Sequence, residues 1–432
     1  MQDTADSARR RVLIVDDDAD MSGALAEALE NGGFETACSS DGQNAIRLVD
    51  SFRPHVMVLD IWVPGINGIE ILRSVRGKDD ACRVIMFSGH GTIAMAVKAI
   101  QLGAFDYIEK PCSLSRLVAS VQQACTAPDQ GPGVSPFHVN SRALRNHEGS
   151  NGGSWFRRPQ RTLRKSVVGQ GLGLQSGVNT GIMLEPMPPD SGIVFRNVAT
   201  GESLPASIDF VTSTSFCTTL QKGGVTVRTI EHLMAALHAY DITNLQIQIG
   251  DEVPIMDGSA ASFCRLIEQC GVVEQEGGQE EFVVDRSFRV GQVDPATKFI
   301  VVEPYNGFRV SYRLQYPEPL GVQEFAYEHR SGASFHQEVA PARTFAFVHE
   351  VEKMHSMGMI AGGRLNNVIL LGDEKIVNNV QLRFPDECVR HKVLDLIGDL
   401  YLLGRQLRGH VRANMTGHTE NVALVKMLSE VA

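Results

Sequence analysis

The chain has 432 residues, of which 43% are hydrophobic and 21% are charged, and its formal net charge is −10. This composition indicates a globular protein of about three domains, and the negative charge argues against nucleic acid as a partner. No apolar run approaches the roughly 20 residues of a membrane-spanning helix, and the apolar run after the N-terminal basic cluster is too short for a signal peptide. The eight cysteines include no C-x-x-C pair. We therefore expect a cytoplasmic protein that does not span a membrane.

The region from residue 11 to about 125 alternates short apolar segments with helical patterns. The predicted strands are "RVLIV", "ETACS", "HVMVLD", "RVIMFS" and "FDYIEK", and the helices between them begin near Met21, Gly42, Gly68, Thr92 and Leu114. This alternation predicts a doubly wound α/β domain with a five-stranded parallel sheet, at residues 9–126. Residues 127–158 are rich in Pro, Gly, Ser and Asn and are predicted to be a flexible linker. Residues 159–432 combine strands, Gly-rich turns and occasional helices, which predicts an α+β domain.

Acidic and polar residues follow several strands of the predicted parallel sheet. In a doubly wound sheet, functional residues gather beyond the carboxyl ends of the strands. Five residues at such positions are Asp16, Asp17, Asp60, Ser88 and Lys110. Carboxylates that crowd together repel one another unless a cation lies among them, and oxygen ligands suit Mg²⁺. A single acid after a strand is more often a helix N-cap, but the set of five predicts a magnesium site that also receives a phosphoryl group.

This region resembles the receiver domain of two-component response regulators. The motifs that carry the resemblance are "LIVDDD", "VMVLDIWVPGINGIEIL", "VIMFSGHG" and "FDYIEKP". The resemblance implies that Asp60 accepts a phosphoryl group from a sensor histidine kinase or a small phosphodonor. The other residues that it implies are the Mg²⁺ ligands Asp16, Asp17, Asp60 and the Trp62 carbonyl, and the switch residues Ser88, Tyr107 and Lys110.

The stretch "VRHKVLDLIGDLY" predicts an amphipathic helix with an unusual polar row. Its His391, Asp395 and Asp399 recur every four residues and span only about 80° of the side opposite the apolar stripe. Such a row is most often a solvated face, and the alternative is that it points at a metal. In "TVRTIEHLMAALHA", Glu231 and His232 begin a second predicted helix. Two histidines and one carboxylate with an open fourth position form a catalytic zinc site, beside which a glutamate can act as a base.

Hydrolysis of an amide also requires an acid that protonates the leaving amine. The segment "MTGHTENVAL" places His418 in a Gly-flanked loop, and Asp399 would hold its imidazole in the charged form. Taken singly, each histidine is more often an ordinary surface or core residue. The residues become informative only as a set.

As a set, these residues resemble the zinc-dependent UDP-3-O-acyl-N-acetylglucosamine deacetylases of lipid A synthesis, over essentially all of residues 160–432. The motifs include "QRTLRKSVVGQGLGLQSG", "TIEHLMAAL", "PIMDGSAASF", "ARTFAF", "GMIAGGRLNN", "RFPDECVRHKVLDLIGDL" and "TGHTENVAL". The resemblance implies UDP-3-O-acyl-N-acetylglucosamine as the substrate. The Zn²⁺ ligands that it implies are His232, His391 and Asp395, and the catalytic residues are Glu231 as base, His418 as acid, Asp399 as its orienting partner and Thr344 as oxyanion donor. The substrate-binding residues that it implies are Lys298, Tyr316, Phe345 and Lys392.

The same resemblance implies a fold of two halves, each a sheet with a pair of helices, with a boundary near residue 282. The segment "MHSMGMIAGG" corresponds to the insert that encloses the acyl chain. The chain departs from the family pattern at Gln175, at Arg364 and Asn366, and in the whole receiver-like region, which the ordinary deacetylase lacks. None of the three residues is a predicted zinc ligand or base, so they bear on acyl-chain preference and rate more than on the chemistry.

Two functions are consistent with this sequence. The first is a deacetylase that removes the N-acetyl group and is regulated by phosphorylation of Asp60. The alternative is a two-component signalling protein whose deacetylase-like domain binds a ligand without catalysis. Because the sequence keeps every predicted ligand, base and acid, it favours the enzyme.

Overall fold

The computed structural model describes residues 10–78, 82–89, 93–126, 157–373, 375–378 and 380–431. The chain forms two compact units. The first unit contains Met1–Pro136, Ala346–Met357 and Arg364–Gln381, and the second contains Phe137–Phe345, Gly358–Gly363 and Leu382–Ala432. The predicted linker lies outside the described residues except at its C-terminal end, where a strand begins at Arg157.

The first unit is built on a parallel sheet. Its strands are β1 (Arg11–Val15), β2 (Glu35–Ser39), β3 (Val56–Leu59), β4 (Arg83–Ser88) and β5 (Asp106–Glu109), in the order β2-β1-β3-β4-β5. The helices after the strands are α1 (Ala19–Asn31), α2 (Gly42–Phe52), α3 (Gly68–Lys78), α4 (Ile93–Gln101) and α5 (Leu114–Thr126). Strand β3 is buried along its whole length, as expected for a sheet covered by helices on both faces. The predicted doubly wound sheet is confirmed.

The N-terminal half of the second unit contains three groups of strands. Its larger sheet has the order β10-β9-β14-β8-β7, from β7 (Val167–Leu172), β8 (Asn179–Pro186), β9 (Ile193–Asn197), β10 (Ser203–Pro205) and β14 (Leu245–Ile249). A smaller sheet contains β11 (Val211–Ser213), β12 (Thr219–Lys222) and β13 (Val225–Val227). Strand β6 (Arg157–Leu163) pairs with β15 (Val272–Glu280). The helices of this half are α6 (Glu231–Ala239) and α7 (Ala261–Cys270).

The C-terminal half of the second unit is a second sheet with its own helices. The sheet has the order β17-β18-β23-β19-β20, with β16 paired to β23. These strands are β16 (Phe282–Val283), β17 (Phe288–Val290), β18 (Phe299–Glu303), β19 (Phe308–Gln315), β20 (Val322–Glu328) and β23 (Leu407–Asn414). The helices are α8 (Gly332–Glu338), α10 (Glu387–Leu400) and α11 (His418–Ser429). Strand β21 (Phe345–Phe347) begins at the last residue of this part of the second unit and pairs with β22 (Ile369–Leu371) of the first unit. Helix α9 (Val348–Ser356) follows β21 and lies in the first unit.

Helices α6 and α10 pack against each other, and α10 also packs on α11 and on strands β19 and β20. Both sides of α10 are therefore covered, and 12 of its 14 residues are buried. The polar row predicted on this helix is not a solvated face, because His391, Asp395 and Asp399 are only 3%, 5% and 1% exposed. No helix in the described part of the chain is both long enough and apolar enough to cross a membrane.

A buried imidazole pair lies in the second unit, away from the polar row. The ring of His238 lies 5.7 Å from that of His329 and 4.8 Å from that of Phe308. Burial lowers the pKa of His238 well below its usual value, and the charges of His329 and Arg158 act in the same direction. Burial also lowers the pKa of His329, although Asp241 opposes that shift. Both rings are therefore neutral in the folded protein near neutral pH.

We predict that replacing His238 with Phe weakens the acid sensitivity of the second unit. A histidine whose pKa is lowered by folding destabilises the fold once the pH drops below about 6.5, because the unfolded chain then binds the proton more readily. At pH 5.5 this costs up to about 1.4 kcal/mol for each histidine. Urea denaturation at pH 7.5 and 5.5 measures how much the free energy of unfolding falls between the two pH values. Hydrogen exchange of the α6 amides reports on the second unit. His355→Phe, at an exposed histidine of the first unit, is the control and should respond as the parent does.

Candidate functional site

Three side chains from two helices meet in the second unit. His391 and Asp395 lie one turn apart on α10, and His232 is the second residue of α6. The Asp395 Oδ1 atom lies 3.4 Å from His391 Nε2 and 3.7 Å from His232 Nε2. In a tetrahedral zinc site, ligand atoms about 2.0–2.1 Å from the ion are about 3.3 Å from one another. The three buried donors therefore fit a divalent metal.

The protonation states of these donors also suit a metal. Burial lowers the pKa of His391 to about 4, so its ring is neutral, and its Nδ1 faces the Ala342 carbonyl at 3.1 Å. Burial opposes ionisation of Asp395, but His391 and Lys392 outweigh burial and hold its pKa well below the usual value. Metal binding needs neutral imidazoles and ionised carboxylates, and the lowered pKa values of His391 and Asp395 favour these forms.

Glu231 begins α6 next to His232, as the sequence predicts. It is buried, and burial raises the pKa of its carboxyl group. Its Oε2 accepts a hydrogen bond of 3.2 Å from the backbone N–H of Thr218, and its Oε1 lies 4.0 Å from His418 Nε2. A carboxylate with a raised pKa is a stronger base than an exposed one, which is the property that a proton-abstracting group requires.

His418 pairs with Asp399 on the other side of Glu231. Its Nδ1 lies 2.8 Å from Asp399 Oδ2. Burial would lower the pKa of His418, but the carboxylate of Asp399, helped by Glu231 and Asp395, raises it to about 9. The prediction that His418 stands in a loop is wrong, because it is the first residue of α11, after the N-cap Gly417. A cation is unfavourable at a helix N-terminus, so the Asp399 carboxylate also offsets the helix dipole.

Two residues that sequence reasoning missed complete the surroundings of Asp399. Thr218 Oγ1 donates to Asp399 Oδ1 at 2.6 Å, and Asn421 Nδ2 donates to Asp399 Oδ2 at 2.9 Å. Thr218 thus contacts Glu231 through its backbone and Asp399 through its side chain. Neither residue has a spacing that indicates a site, because both contacts join segments far apart in the chain. Thr218 directly precedes β12, and Asn421 lies in the first turn of α11.

The segment that carries Thr344 is held by a buried ion pair. Glu387, the first residue of α10, accepts hydrogen bonds from the backbone N–H and the Nε of Arg343, at 3.0 and 2.9 Å. The backbone N–H of Thr344 donates to the Gly258 carbonyl at 2.8 Å. These contacts fix the backbone on both sides of the Thr344 side chain, which is half-buried.

Three of the four predicted substrate-binding residues lie near one another. Lys392 Nζ donates to Asp395 Oδ2 at 3.1 Å. The ring of Phe345 lies 6.5 Å from that of His391 and 6.1 Å from that of Tyr316. Lys298 is more exposed and lies 3.9 Å from Glu420 on α11. Phe345 and Tyr316 therefore form an aromatic path that leads away from the candidate metal ligands.

The first unit has its own polar site, at the carboxyl ends of its strands. Lys110 Nζ donates to Asp16 Oδ2 at 2.6 Å and to Asp60 Oδ2 at 2.7 Å. Asp16, Asp17 and Asp60 offer oxygen atoms within 4.8 Å of one another. Trp62, which is 57% exposed, lines the same pocket, and its backbone N–H donates to Asp60 Oδ1 at 3.1 Å.

Two buried hydroxyl groups lie near this pocket. Ser88 Oγ and the Tyr107 hydroxyl form no hydrogen bond of ordinary geometry among the described residues, although Ser88 opposes the rise that burial causes in the pKa of Tyr107. Buried polar groups are rarely left unpaired, and one at a functional site indicates a partner that arrives later. Ser88 ends β4, and Tyr107 lies on the neighbouring β5. All the polar residues predicted for this site are thus on the strand ends or directly after them.

Comparison with known proteins assigns both units. Residues 160–430 match the family model of UDP-3-O-acyl N-acetylglycosamine deacetylase. The chain belongs to this deacetylase family. Residues 12–122 match the response regulator receiver domain. The two resemblances found in the sequence are therefore confirmed, and the protein is a deacetylase-family chain that carries a receiver domain.

Relatives of the deacetylase region are moderately similar. The UDP-3-O-acyl-N-acetylglucosamine deacetylase of Myxococcus xanthus is 44% identical over 271 residues, which cover 62% of this chain and 85% of the relative. The enzyme of the same name from Nautilia profundicola is 42% identical and is covered over 91% of its length. Among solved structures, the receiver domain of NtrX from Brucella abortus is 35% identical, with a TM-score of 0.26. The match covers 27% of this chain and 99% of the NtrX receiver chain.

We predict that replacing Gly398 with Ala disrupts the candidate metal site of this deacetylase. A Cβ atom at Gly398 would lie 2.0 Å from the Glu231 carbonyl oxygen, so α6 and α10 would have to move apart. Overpacking of this kind typically costs about 1–3 kcal/mol. The temperature of thermal unfolding and the amount of bound metal should both be lower than in the parent.

The matched control is Gly23→Ala, within α1 of the first unit. A Cβ atom there would meet no heavy atom within 4 Å. Removing a helical glycine should then leave stability unchanged or raise it by up to about 1 kcal/mol. If Gly398→Ala binds metal and melts as the parent does, the close crossing of α6 and α10 does not position the ligands.

Proposed function

We propose that this chain hydrolyses the N-acetyl group of UDP-3-O-acyl-N-acetylglucosamine and releases acetate, the committed step of lipid A synthesis. The observation that carries the proposal is the buried cluster in which His232, His391 and Asp395 adjoin a carboxylate and a cationic imidazole. This arrangement, in a chain of the deacetylase family, combines a metal-ligand set with a base and an acid. Each of these groups has a defined task in cleaving an amide.

A Zn²⁺ ion held by His232, His391 and Asp395 would polarise the amide carbonyl and lower the pKa of water. Glu231 takes a proton from the attacking water while the oxygen of that water bonds to the amide carbon. The Thr344 hydroxyl donates a hydrogen bond to the oxygen that becomes negative. His418 then gives its proton to the amine nitrogen as the carbon–nitrogen bond breaks, so acetate and a free amine leave.

The charge of His418 supports this assignment. An acid must carry its proton at the working pH, and the contact with Asp399 raises the pKa of His418 to about 9. Thr218 and Asn421 donate hydrogen bonds to Asp399. Both contacts hold the Asp399 carboxylate in place beside His418.

The substrate contacts that we propose are those that the family resemblance implies. We assign Tyr316 to stacking on the uracil ring, and Lys298 and Lys392 to the sugar and diphosphate. Phe345 lines the path between Tyr316 and His391. Residues 354–363 would enclose the acyl chain, and their Met and Ile side chains suit a flexible hydrocarbon.

The receiver domain supports a regulated enzyme. We propose that Asp60 accepts a phosphoryl group from a sensor histidine kinase or a small phosphodonor. Asp16, Asp17, Asp60 and the Trp62 carbonyl would hold Mg²⁺ during the transfer, since clustered oxygen ligands suit this ion. Lys110 and the unpaired Ser88 hydroxyl then contact the phosphoryl oxygens, and the change in the first unit alters turnover. We place the enzyme in the cytoplasm, where its phosphodonors are found.

Glu231→Gln is predicted to lower deacetylation by about 10²- to 10⁴-fold, the usual contribution of a general base. The amide keeps the size of the side chain and cannot accept the proton. Acetate release from UDP-3-O-acyl-N-acetylglucosamine and bound zinc are measured on the same samples. Zinc content should stay at the parent level. Glu276→Gln, an exposed position on β15, is the control. Full activity in Glu231→Gln, or no acetate release by the zinc-loaded parent, would refute the proposed chemistry.

Asp60→Asn is predicted to abolish phosphorylation by acetyl phosphate, because the amide is not a nucleophile for the transfer. Phosphate-affinity electrophoresis of the full chain should show a shifted band in the parent only, and magnesium removal should abolish it. The exposed Trp62 gives a second measurement, since its fluorescence should respond to Mg²⁺ and beryllofluoride in a Trp155→Phe background. Asp20→Asn, in the first turn of α1, is the control. A shifted band in Asp60→Asn would place the phosphoacceptor elsewhere.

A further inference from the structure

The first unit contains a part of the chain that the sequence assigns to the deacetylase. Residues Ala346–Met357 and Arg364–Gln381 belong to this unit, although the deacetylase family model spans 160–430. Helix α9, in the first of these segments, packs against α4 of the receiver. The receiver therefore binds a segment of the same chain through the face formed by α4 and the start of β5.

Three contacts define this docking face. The Gln101 side-chain amide, at the end of α4, donates a hydrogen bond to Glu352 Oε1 on α9. The Lys375 ammonium lies 5.3 Å from the centre of the Phe105 ring, a cation–π contact. Helix α9 itself packs against α4, and its Val351 and Met354 are 0% and 6% exposed. The face thus combines helix packing with two side-chain contacts.

The docking face is connected to the phosphoacceptor through adjoining elements. Helix α4 begins at Ile93, five residues after Ser88, whose unpaired hydroxyl lies at the end of β4. Strand β5 begins directly after Phe105 and carries Tyr107. A group bound at Asp60 that recruits Ser88 would shift the start of α4, because few residues separate the two.

The docked segment is also connected to the deacetylase site through the chain. Phe345 belongs to the second unit, and Ala346, the next residue, belongs to the first. Both residues are in strand β21, which is a continuous extended segment. The Phe345 ring lies 6.5 Å from that of His391. A displacement of α9 would therefore be transmitted to Phe345 through the short strand.

The chain passes back into the second unit between the two parts of the docked segment. Between its two parts, residues 358–363 belong to the second unit. There, the N–H groups of Ile360 and Ala361 donate to the side-chain and backbone oxygens of Gln175, both at 3.2 Å. The docked segment is thus tied to the second unit at both ends of α9.

We propose that the α4–β5 face of the receiver is a docking surface for the two segments Ala346–Met357 and Arg364–Gln381. We propose also that a phosphoryl group on Asp60 loosens this docking and so changes substrate binding at Phe345. In the structure, Lys110 donates to Asp16 and Asp60, and α9 packs against α4. The effect on turnover rests on the proposed function, whereas the docking itself does not.

Hydrogen exchange of the full zinc-loaded chain tests the docking directly. With Mg²⁺ and beryllofluoride, a phosphoryl mimic, amides of 348–356 should exchange about two- to fivefold faster, the range that an exposed polar contact contributes. Asp60→Asn should abolish the response. Unchanged or slower exchange in the parent would overturn the proposal.

A swapped pair tests the contact itself. Gln101→Glu places two carboxylates together, so α9 should exchange faster even without beryllofluoride. Adding Glu352→Gln restores a carboxylate–amide pair with exchanged roles and should return exchange to the parent level. Gln123→Glu, at an exposed position of α5, is the control and should behave as the parent. Parent-like exchange in Gln101→Glu would also overturn the proposal.

Kinetics separate the docking from the chemistry. In the parent, beryllofluoride should change the KM for UDP-3-O-acyl-N-acetylglucosamine, and Gln101→Glu should reduce this response while the swapped pair restores it. If no variant releases acetate, the proposed function fails but the exchange data still decide the docking. If acetate is released with a KM that never responds, the docking has no role in turnover and this inference fails.

Discussion

The close crossing of α6 and α10 is the constraint on which the deacetylase site depends. Gly398 brings the two backbones so near that a Cβ atom would lie 2.0 Å from the Glu231 carbonyl oxygen. Only a residue without a side chain permits this approach. The crossing places the N-terminus of α6, with Glu231 and His232, against the polar row of α10. Because both helices are rigid, the proposed base and the candidate metal ligands are positioned by packing rather than by a flexible loop.

The buried charges at this crossing stabilise one another only as a group. Asp395 is ionised next to His391 and Lys392, whereas burial raises the pKa of Glu231. An isolated buried charge would cost several kcal/mol. The same row of residues on a solvated helix would have ordinary pKa values and no common ligand. Burial of the row therefore distinguishes the metal-site hypothesis from the solvated-face alternative that the sequence left open.

Local patterns predicted most of the fold and the α10 half of the site. Strands β1, β2 and β4 have the predicted limits, and the four-residue spacing of His391, Asp395 and Asp399 follows from helix geometry. Contacts between distant segments were not predictable in this way. Thr218 and Asp399 are hydrogen-bonded although 181 positions separate them in the sequence, and no local pattern in the sequence predicts such a pair. The helical start of His418 was missed because glycine is read as a loop signal, although it also serves as an N-cap.

The division of the chain into units has a consequence for how a receiver can act on an enzyme. A linker between two domains can only tether them, and coupling through it would need a rigid element. Here the receiver unit includes a segment whose ends belong to the deacetylase unit, so four peptide bonds cross between units within residues 345–382. A change at Asp60 can reach Phe345 along α4, α9 and β21, each of which packs on the next or continues into it. Coupling requires a docking contact with two states, and the α4–α9 contact is small and partly exposed, as such a contact must be if one phosphoryl group is to shift it.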